Sequence, residues 1–282
     1  HGAWPDADAM HLGVRHWVNG DITPANLDLL ATRSNIPDTI FHLAGGSSVG
    51  LSMQTPEEDF LRTAASSVRL LEWARLHAPK CKLVLASSAA VYGAGHNSPI
   101  TEDSLLEPYS PYGYHKRTAE LLFESYARNF GLAAATVRLF SIYGDGLRKQ
   151  LLWDMCCRLQ SAPARLVLAG NGNELRDFFH VRDAVNLLRA TRQHASTQGF
   201  VVNGGTGCGM TVRQVALDLC SAWGLDVDVQ FSGNSRAGDP GFLVADVRRS
   251  SELGCTAHVT WADGVANYVA WYKRQATLGK VA

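Results

Sequence analysis

Tyr112 and Lys116 are the first residues in this chain whose types and spacing could do chemistry. They lie in Ser110-Pro111-Tyr112-Gly113-Tyr114-His115-Lys116, which opens a long helical pattern reaching Ala127 and beyond. Four residues apart on a helix, the two side chains share one face. An ammonium beside a phenol stabilises the phenolate and lowers its pKa, which makes Tyr112 a candidate acid/base near neutral pH. The plain alternative is a surface tyrosine and lysine on an amphipathic helix. A second stretch argues against it. Leu83-Val84-Leu85-Ala86-Ser87-Ser88 is an apolar run ending in hydroxyls. It reads as a buried strand with Ser88 at its C-terminal end, where open α/β sheets bind ligands.

The elements needed to place these residues are legible in order. Val14–Val18 reads as a short strand, followed by a turn through Asn19, Gly20, Asp21 and Ile22 and a helix opened by Pro24. Thr39–Ala44 reads as a buried strand ending at Gly45-Gly46, and Pro56–His77 as one long helix with a stripe at Phe60, Ala64, Val68 and Leu71. Strand, helix and strand follow at 82–87, 110–130 and 133–140. This alternation predicts an α/β fold built on a doubly wound parallel sheet with covering helices. Beyond Gly144 the spacing predicts helices at 147–159, 183–191, 212–223 and 262–274, with short strands at 164–169, 177–180 and 200–203.

Together these motifs resemble the extended short-chain dehydrogenase/reductase family, in its nucleotide-sugar epimerase/dehydratase branch and nearest to its UDP-sugar 4-epimerases. The resemblance runs from about Trp17 to the C-terminus. It implies a Rossmann-type domain over 1–143 with 177–206, and a smaller substrate domain over 144–176 with 207–282. It implies Tyr112 as the acid/base at a sugar hydroxyl, Lys116 on the nicotinamide ribose, and Ser88 hydrogen-bonding the same sugar oxygen. The cofactor is NAD, with NADP not excluded, and its contacts fall to Asp21, Ile22, Leu43, Ala44, Gly45 and Ser87 together with Tyr112 and Lys116. A nucleotide sugar is expected on Ser88, Ser141, Arg176, Arg236 and Asp239. Two arginines suit a dianionic pyrophosphate through their guanidinium forks.

Several positions depart from the family pattern. Ser47 stands where epimerases often carry Lys, Thr63 where Asn is usual, and Ser141 where a substrate-contacting Asn is common. After Ser88 come Ala89 and Ala90, where sugar 4,6-dehydratases carry an acid and a base; alanines transfer no protons. That favours a 4-epimerase, with a 4-ketoreductase or a non-catalytic nucleotide-binding remnant as alternatives. The family also places a glycine-rich βαβ unit before the segment matching Asn19. Only eighteen residues precede Asn19, so roughly 30 residues of that unit are expected to be missing from this chain, and a fragment of a longer product is the favoured explanation.

Composition bounds the rest. Lys plus Arg and Asp plus Glu both number 26 in 282 residues, so no basic excess points to nucleic acid or an anionic membrane. No apolar run reaches membrane-spanning length. The six cysteines form no C-x-x-C pair and read as reduced thiols of a cytoplasmic protein, with no metal site expected. By resemblance, the helices at 56–77 and 110–130 would build a homodimer through a four-helix bundle. His42 and His115 are assigned no role.

Overall fold

The computed structural model describes residues 12–162, 164–234 and 240–278. In chain order they form α1 (Pro24–Ser34), β1 (Thr39–His42), α2 (Val49–Gln54), α3 (Pro56–Phe60), a π-helical turn (Leu61–Ala65), α4 (Ser66–His77), β2 (Lys82–Ser88), α5 (Pro111–Phe130), β3 (Ala133–Leu139) and β4 (Ser141–Tyr143). There follow α6 (Gln150–Ser161), β5 (Arg165–Leu168), β6 (Leu175–His180), α7 (Val181–Thr191), β7 (Phe200–Gly204), β8 (Gly209–Thr211), α8 (Val212–Trp223), β9 (Asp228–Phe231), β10 (Phe242–Leu243), α9 (Arg248–Glu252) and α10 (Trp261–Thr277).

Contacts gather these elements into two compact units, 1–87 with 110–137 and 191–201, and 88–109 with 138–190 and 202–282. The boundaries differ from the division expected from sequence. Residues 88–109 join the second unit because Ile100 bridges to Ala245 and receives the Asn203 side-chain amide on its carbonyl.

The first unit is an α/β sheet layer with helices. Strand order is β1-β2-β3-β7, and β1 runs parallel to β2 with Thr39 opposite Lys82. Its core joins Leu71, Trp73 and Ala74 of α4, Leu83 and Leu85 of β2, and Ala119, Phe123 and Ala127 of α5. Each large side chain buried there contributes about 1.5–3 kcal/mol. The i, i+4 spacing of Ala119, Phe123 and Ala127 is the apolar stripe that lays α5 on the sheet. Ser110 caps α5 by accepting from the Gly113 N–H at 3.2 Å, Pro111 fills its first turn, and Gly131 ends it in the left-handed region at φ +73°.

Two expectations fail here. Val14–Val18 is not a strand; a strand exists only where a neighbour takes its backbone groups, and no described residue pairs with this segment. The long helix over 56–77 is real but interrupted by the π-helical turn. Such a turn shifts the side-chain register in mid-helix, and Thr63 sits on it.

The second unit has a mixed sheet in the order β10-β6-β4, with β8 antiparallel to β6, and a separate parallel pair of β5 and β9. Its core is aromatic: Tyr143, Phe178, Tyr268, Trp271 and Tyr272 pack with Leu152, Met155 and Leu219. The helix expected from Leu147 begins only at Gln150, because residues 144–147 close a turn with the Leu147 N–H on the Gly144 carbonyl.

His42 ends β1 in a buried position, 2% exposed. The Ser67 hydroxyl donates to the Thr63 carbonyl, so it accepts from His42 Nε2–H at 3.0 Å. Burial, and after it the Lys116 charge, pulls the imidazole down to about 4. Between pH 6.5 and about 4 the unfolded chain takes up a proton that the folded chain refuses, so stability falls as pH falls through that window. The full loss is of order 3 kcal/mol. Urea midpoints of the wild type should therefore drop between pH 7 and pH 4.5 more than those of His42→Gln; equal drops would show that His42 carries none of the dependence.

Candidate active site

In the first unit the structure brings Tyr112, Lys116 and the Gly45-Gly46 turn together. Lys116 is 5% exposed and its ammonium donates to the Ala86 carbonyl at 3.0 Å, lying 5.9 Å from the centre of the Tyr112 ring. A buried ammonium must be satisfied by acceptors, and the end of β2 supplies one. Tyr112 is half-buried, and its backbone N–H donates to Ser52 Oγ at 3.0 Å, which ties α2 to the first turn of α5. The first N–H groups of a helix lack intrahelical acceptors as a class, and Ser52 meets this one from outside the helix.

The turn after β1 is shaped around the lysine. Gly45 adopts φ +146°, and a Cβ there would lie 3.1 Å from Lys116 Nζ and 3.3 Å from Thr63 Oγ1. The Gly46 N–H donates to Thr63 Oγ1 at 2.7 Å. Leu43 and Ala44 are exposed just before it. A bare, open turn of small residues beside a fixed ammonium can receive a ligand's hydroxyls at close backbone approach.

The remaining first-unit residues fall into place less directly. Asp21 is exposed and its carbonyl accepts from Asn26 Nδ2, while Thr23 rather than Asp21 caps α1. Ile22 is half-buried behind it. The Ser87 hydroxyl is buried and donates to Glu120 Oε1 at 2.6 Å, so it is committed within the fold.

In the second unit, Ser88 closes β2 and caps the short 3₁₀ helix Ala89–Val91 by accepting from the Ala90 N–H at 3.2 Å. Ser141 and Arg176 line one cavity of about 450 Å³, with Lys149, Gly170, Glu174 and Tyr268. Arg176 Nη1 donates to the carbonyls of Leu175 and Pro240 at 3.0 and 2.6 Å. Arg236 and Asp239 lie outside the described residues.

Two groups that the structure places at these sites, Glu174 and Asp59, are not singled out by the sequence, whereas Lys149 belongs to the cationic run 147–150 that the sequence sets beside the substrate region. Lys149 lines the cavity, and burial lowers its pKa. Burial pushes the Glu174 carboxyl up, but N–H groups of the 171–172 loop outweigh it and hold the acid below its ordinary value. Asp59 packs on the Gly45-Gly46 turn and pairs with His115 at 2.6 Å. No sequence signal joins Asp59 to His115, because they are 56 residues apart. Among the described residues, no group of His, Cys, Asp or Glu is arranged to hold a metal ion.

The pattern that describes the NAD dependent epimerase/dehydratase family matches residues 3–205, most of the chain. The chain belongs to this family. Among curated relatives, the UDP-glucose 4-epimerase of Azospirillum brasilense is 30% identical over 276 residues, covering 91% of this chain and 79% of that protein. Among solved structures, MoeE5 in complex with UDP-glucuronic acid and NAD superposes with a TM-score of 0.82 at 31% identity, covering 92% of this chain and 85% of that one. The UDP-glucose 4-epimerase of Thermotoga maritima, solved with UDP-glucose, gives 0.83 at 25% identity, covering 92% and 84%. The family is one of nucleotide-sugar epimerases and dehydratases, and these likenesses also establish the Rossmann-type fold.

The tightness of the turn is testable without a ligand. A Cβ on Gly46 would fall 1.8 Å from Asp59 Oδ1. Gly46→Ala should cost about 1–3 kcal/mol by overpacking, and Asp59→Ala should recover most of that loss in the double variant. Additive losses in denaturant unfolding would mean the two residues do not meet.

Proposed function

We propose that this protein is an NAD-dependent 4-epimerase of a nucleotide sugar, with a UDP-sugar as substrate. The observation that carries the reading is the buried Lys116 ammonium, fixed to Ala86 beside Tyr112 and the open Gly45 turn. The residues fit the cofactor: Gly45 brings the turn close to Lys116 without a side chain between them, and Leu43 and Ala44 are exposed next to it. Asp21 and Ile22 are proposed for its adenosine end. Bound NAD would supply the hydride acceptor for oxidation at the sugar C4 and return the hydride afterwards.

This chain's own groups do the rest. Tyr112 takes the proton from the C4 hydroxyl and later returns it. Lys116 keeps the phenol acidic and holds a ribose hydroxyl. Ser88 hydrogen-bonds the reacting oxygen. Arg176, and Arg236 with Asp239, hold the diphosphate and the nucleoside, and Ser141 approaches the sugar. In this reading the cavity lined by Ser141 and Arg176 serves the nucleotide sugar. Ala89 and Ala90 supply no acid or base for removing water, which supports epimerisation over dehydration. The same alanines suit a 4-ketoreductase, so that activity is the second reading. The six cysteines are free thiols, which supports a reducing, cytoplasmic setting. No helix among the described residues is long and apolar enough to cross a membrane.

Tyr112→Phe should lower turnover by about 10²–10⁴-fold while UDP affinity, read by calorimetry, stays within error. Interconversion of UDP-glucose and UDP-galactose is the assay. A variant as fast as the wild type would remove Tyr112 from the chemistry, and a wild type that only reduces 4-keto sugars would favour the second reading.

The proposed homodimer rests on exposed apolar side chains of the two long helical segments: Phe60 and Leu61 on one, Tyr114 and Leu121 on the other. Leu61→Glu with Leu121→Glu should yield monomers in sedimentation velocity. A dimer that persists with both charges in place would put the interface elsewhere.

A further inference from the structure

The Asp59–His115 pair is not explained by the proposed chemistry, yet it lies against its central parts. Asp59 is 6% exposed on its side chain and His115 16%. His115 directly precedes Lys116 on α5, and Asp59 is on α3, just before the π-helical turn that carries Thr63. An ionised carboxylate only accepts, so His115 Nδ1–H donates to Asp59 Oδ2, at 2.6 Å. The imidazole is further held by an edge contact with Phe60, ring centres 5.4 Å apart.

A pair that only packed two helices together would leave the second carboxylate oxygen toward solvent or a helix donor. Here Asp59 Oδ1 sits instead against the Cα of Gly46, where a side chain of any kind would collide with it. Thr63 grips the same glycine through its N–H. On the other side of the turn, Gly45 abuts Lys116 Nζ. The turn is thus held between a lysine on α5 and an aspartate that a neighbouring residue of α5 orients.

We propose that Asp59 and His115 are positioning residues that fix the Gly45-Gly46 turn against Lys116, and thereby set how tightly the turn receives the cofactor. The inference rests on the NAD-dependent reading above. His115 orients the carboxylate, the carboxylate stops the turn from moving away from the lysine, and the Thr63 hydroxyl completes the hold. Neither residue touches the reacting atoms.

The test compares Asp59→Ala, His115→Ala and His115→Asn, whose side-chain amide can replace the Nδ1–H donor. In the full chain without cofactor, deuterium uptake of the 43–48 segment should rise about tenfold or more in both alanine variants. Uptake of the 82–88 strand should stay unchanged, which separates a loosened turn from general instability. Calorimetric affinity for NAD should weaken about tenfold, with the KM for the nucleotide sugar within about twofold of wild type. His115→Asn should restore both readouts, and the double alanine variant should lose no more than either single one. Unchanged 43–48 exchange, equal rises in both segments, or His115→Asn exchanging as fast as His115→Ala overturns the positioning role. A wild type that binds no NAD and turns over no nucleotide sugar overturns the functional reading itself, and the deuterium comparison still reports on the turn.

Discussion

Burial of one ammonium organises the first unit. Lys116 is taken out of water on a helix whose neighbours are Ala119, Phe123 and Ala127. A cation in such a place is tolerated only with acceptors fixed around it. The Ala86 carbonyl at the end of β2 is one of them. The end of β1 must then come close without a side chain, which is why Gly45 carries a positive φ at the point of nearest approach. Three elements distant in sequence are set by one charge, and Tyr112 lies one helical turn from it.

A network of hydroxyls stabilises the same region from behind. His42 donates to the Ser67 hydroxyl, which donates to the Thr63 carbonyl, and the Thr63 hydroxyl in turn accepts from the Gly46 N–H. Thr63 lies on the π-helical turn, and its hydroxyl meets the Gly46 N–H. Low polarity around His42 keeps its imidazole neutral, so this network carries no charge to compete with Lys116. In the second unit a buried carboxylate plays a comparable part. Asp177 has no exposure, and it accepts from the N–H and hydroxyl of Thr206 and from the N–H groups of Gly207 and Ala245. It fixes β6, which carries Arg176 toward the cavity.

Of the candidate site, the local part was legible. Tyr112 and Lys116 share a helix, and helical spacing alone puts them on one face. Arg176 enters through the family resemblance alone, as one of two arginines expected on a pyrophosphate. Asp59 with His115, and Thr63 with Gly46, were not legible, because each pair joins segments whose encounter depends on how α3 and the π-helical turn lie against α5 and the β1 turn. Thr63 was noticed only as a departure from the family's Asn, with no means of telling that its hydroxyl caps the turn. Ser87 was read as a cofactor contact, yet tertiary packing directs its hydroxyl to Glu120.

For the fold, the sequence by itself determined the alternation of apolar strands and striped helices, and hence a parallel-sheet α/β protein. These are short-range properties of the backbone and of side-chain periodicity. What only the tertiary structure decided was whether a segment such as Val14–Val18 finds a strand partner, where the 56–77 helix takes its π-helical turn, and which unit holds residues 88–109. Each depends on contacts made across long loops, and no local pattern encodes the distance between residues that the chain keeps far apart.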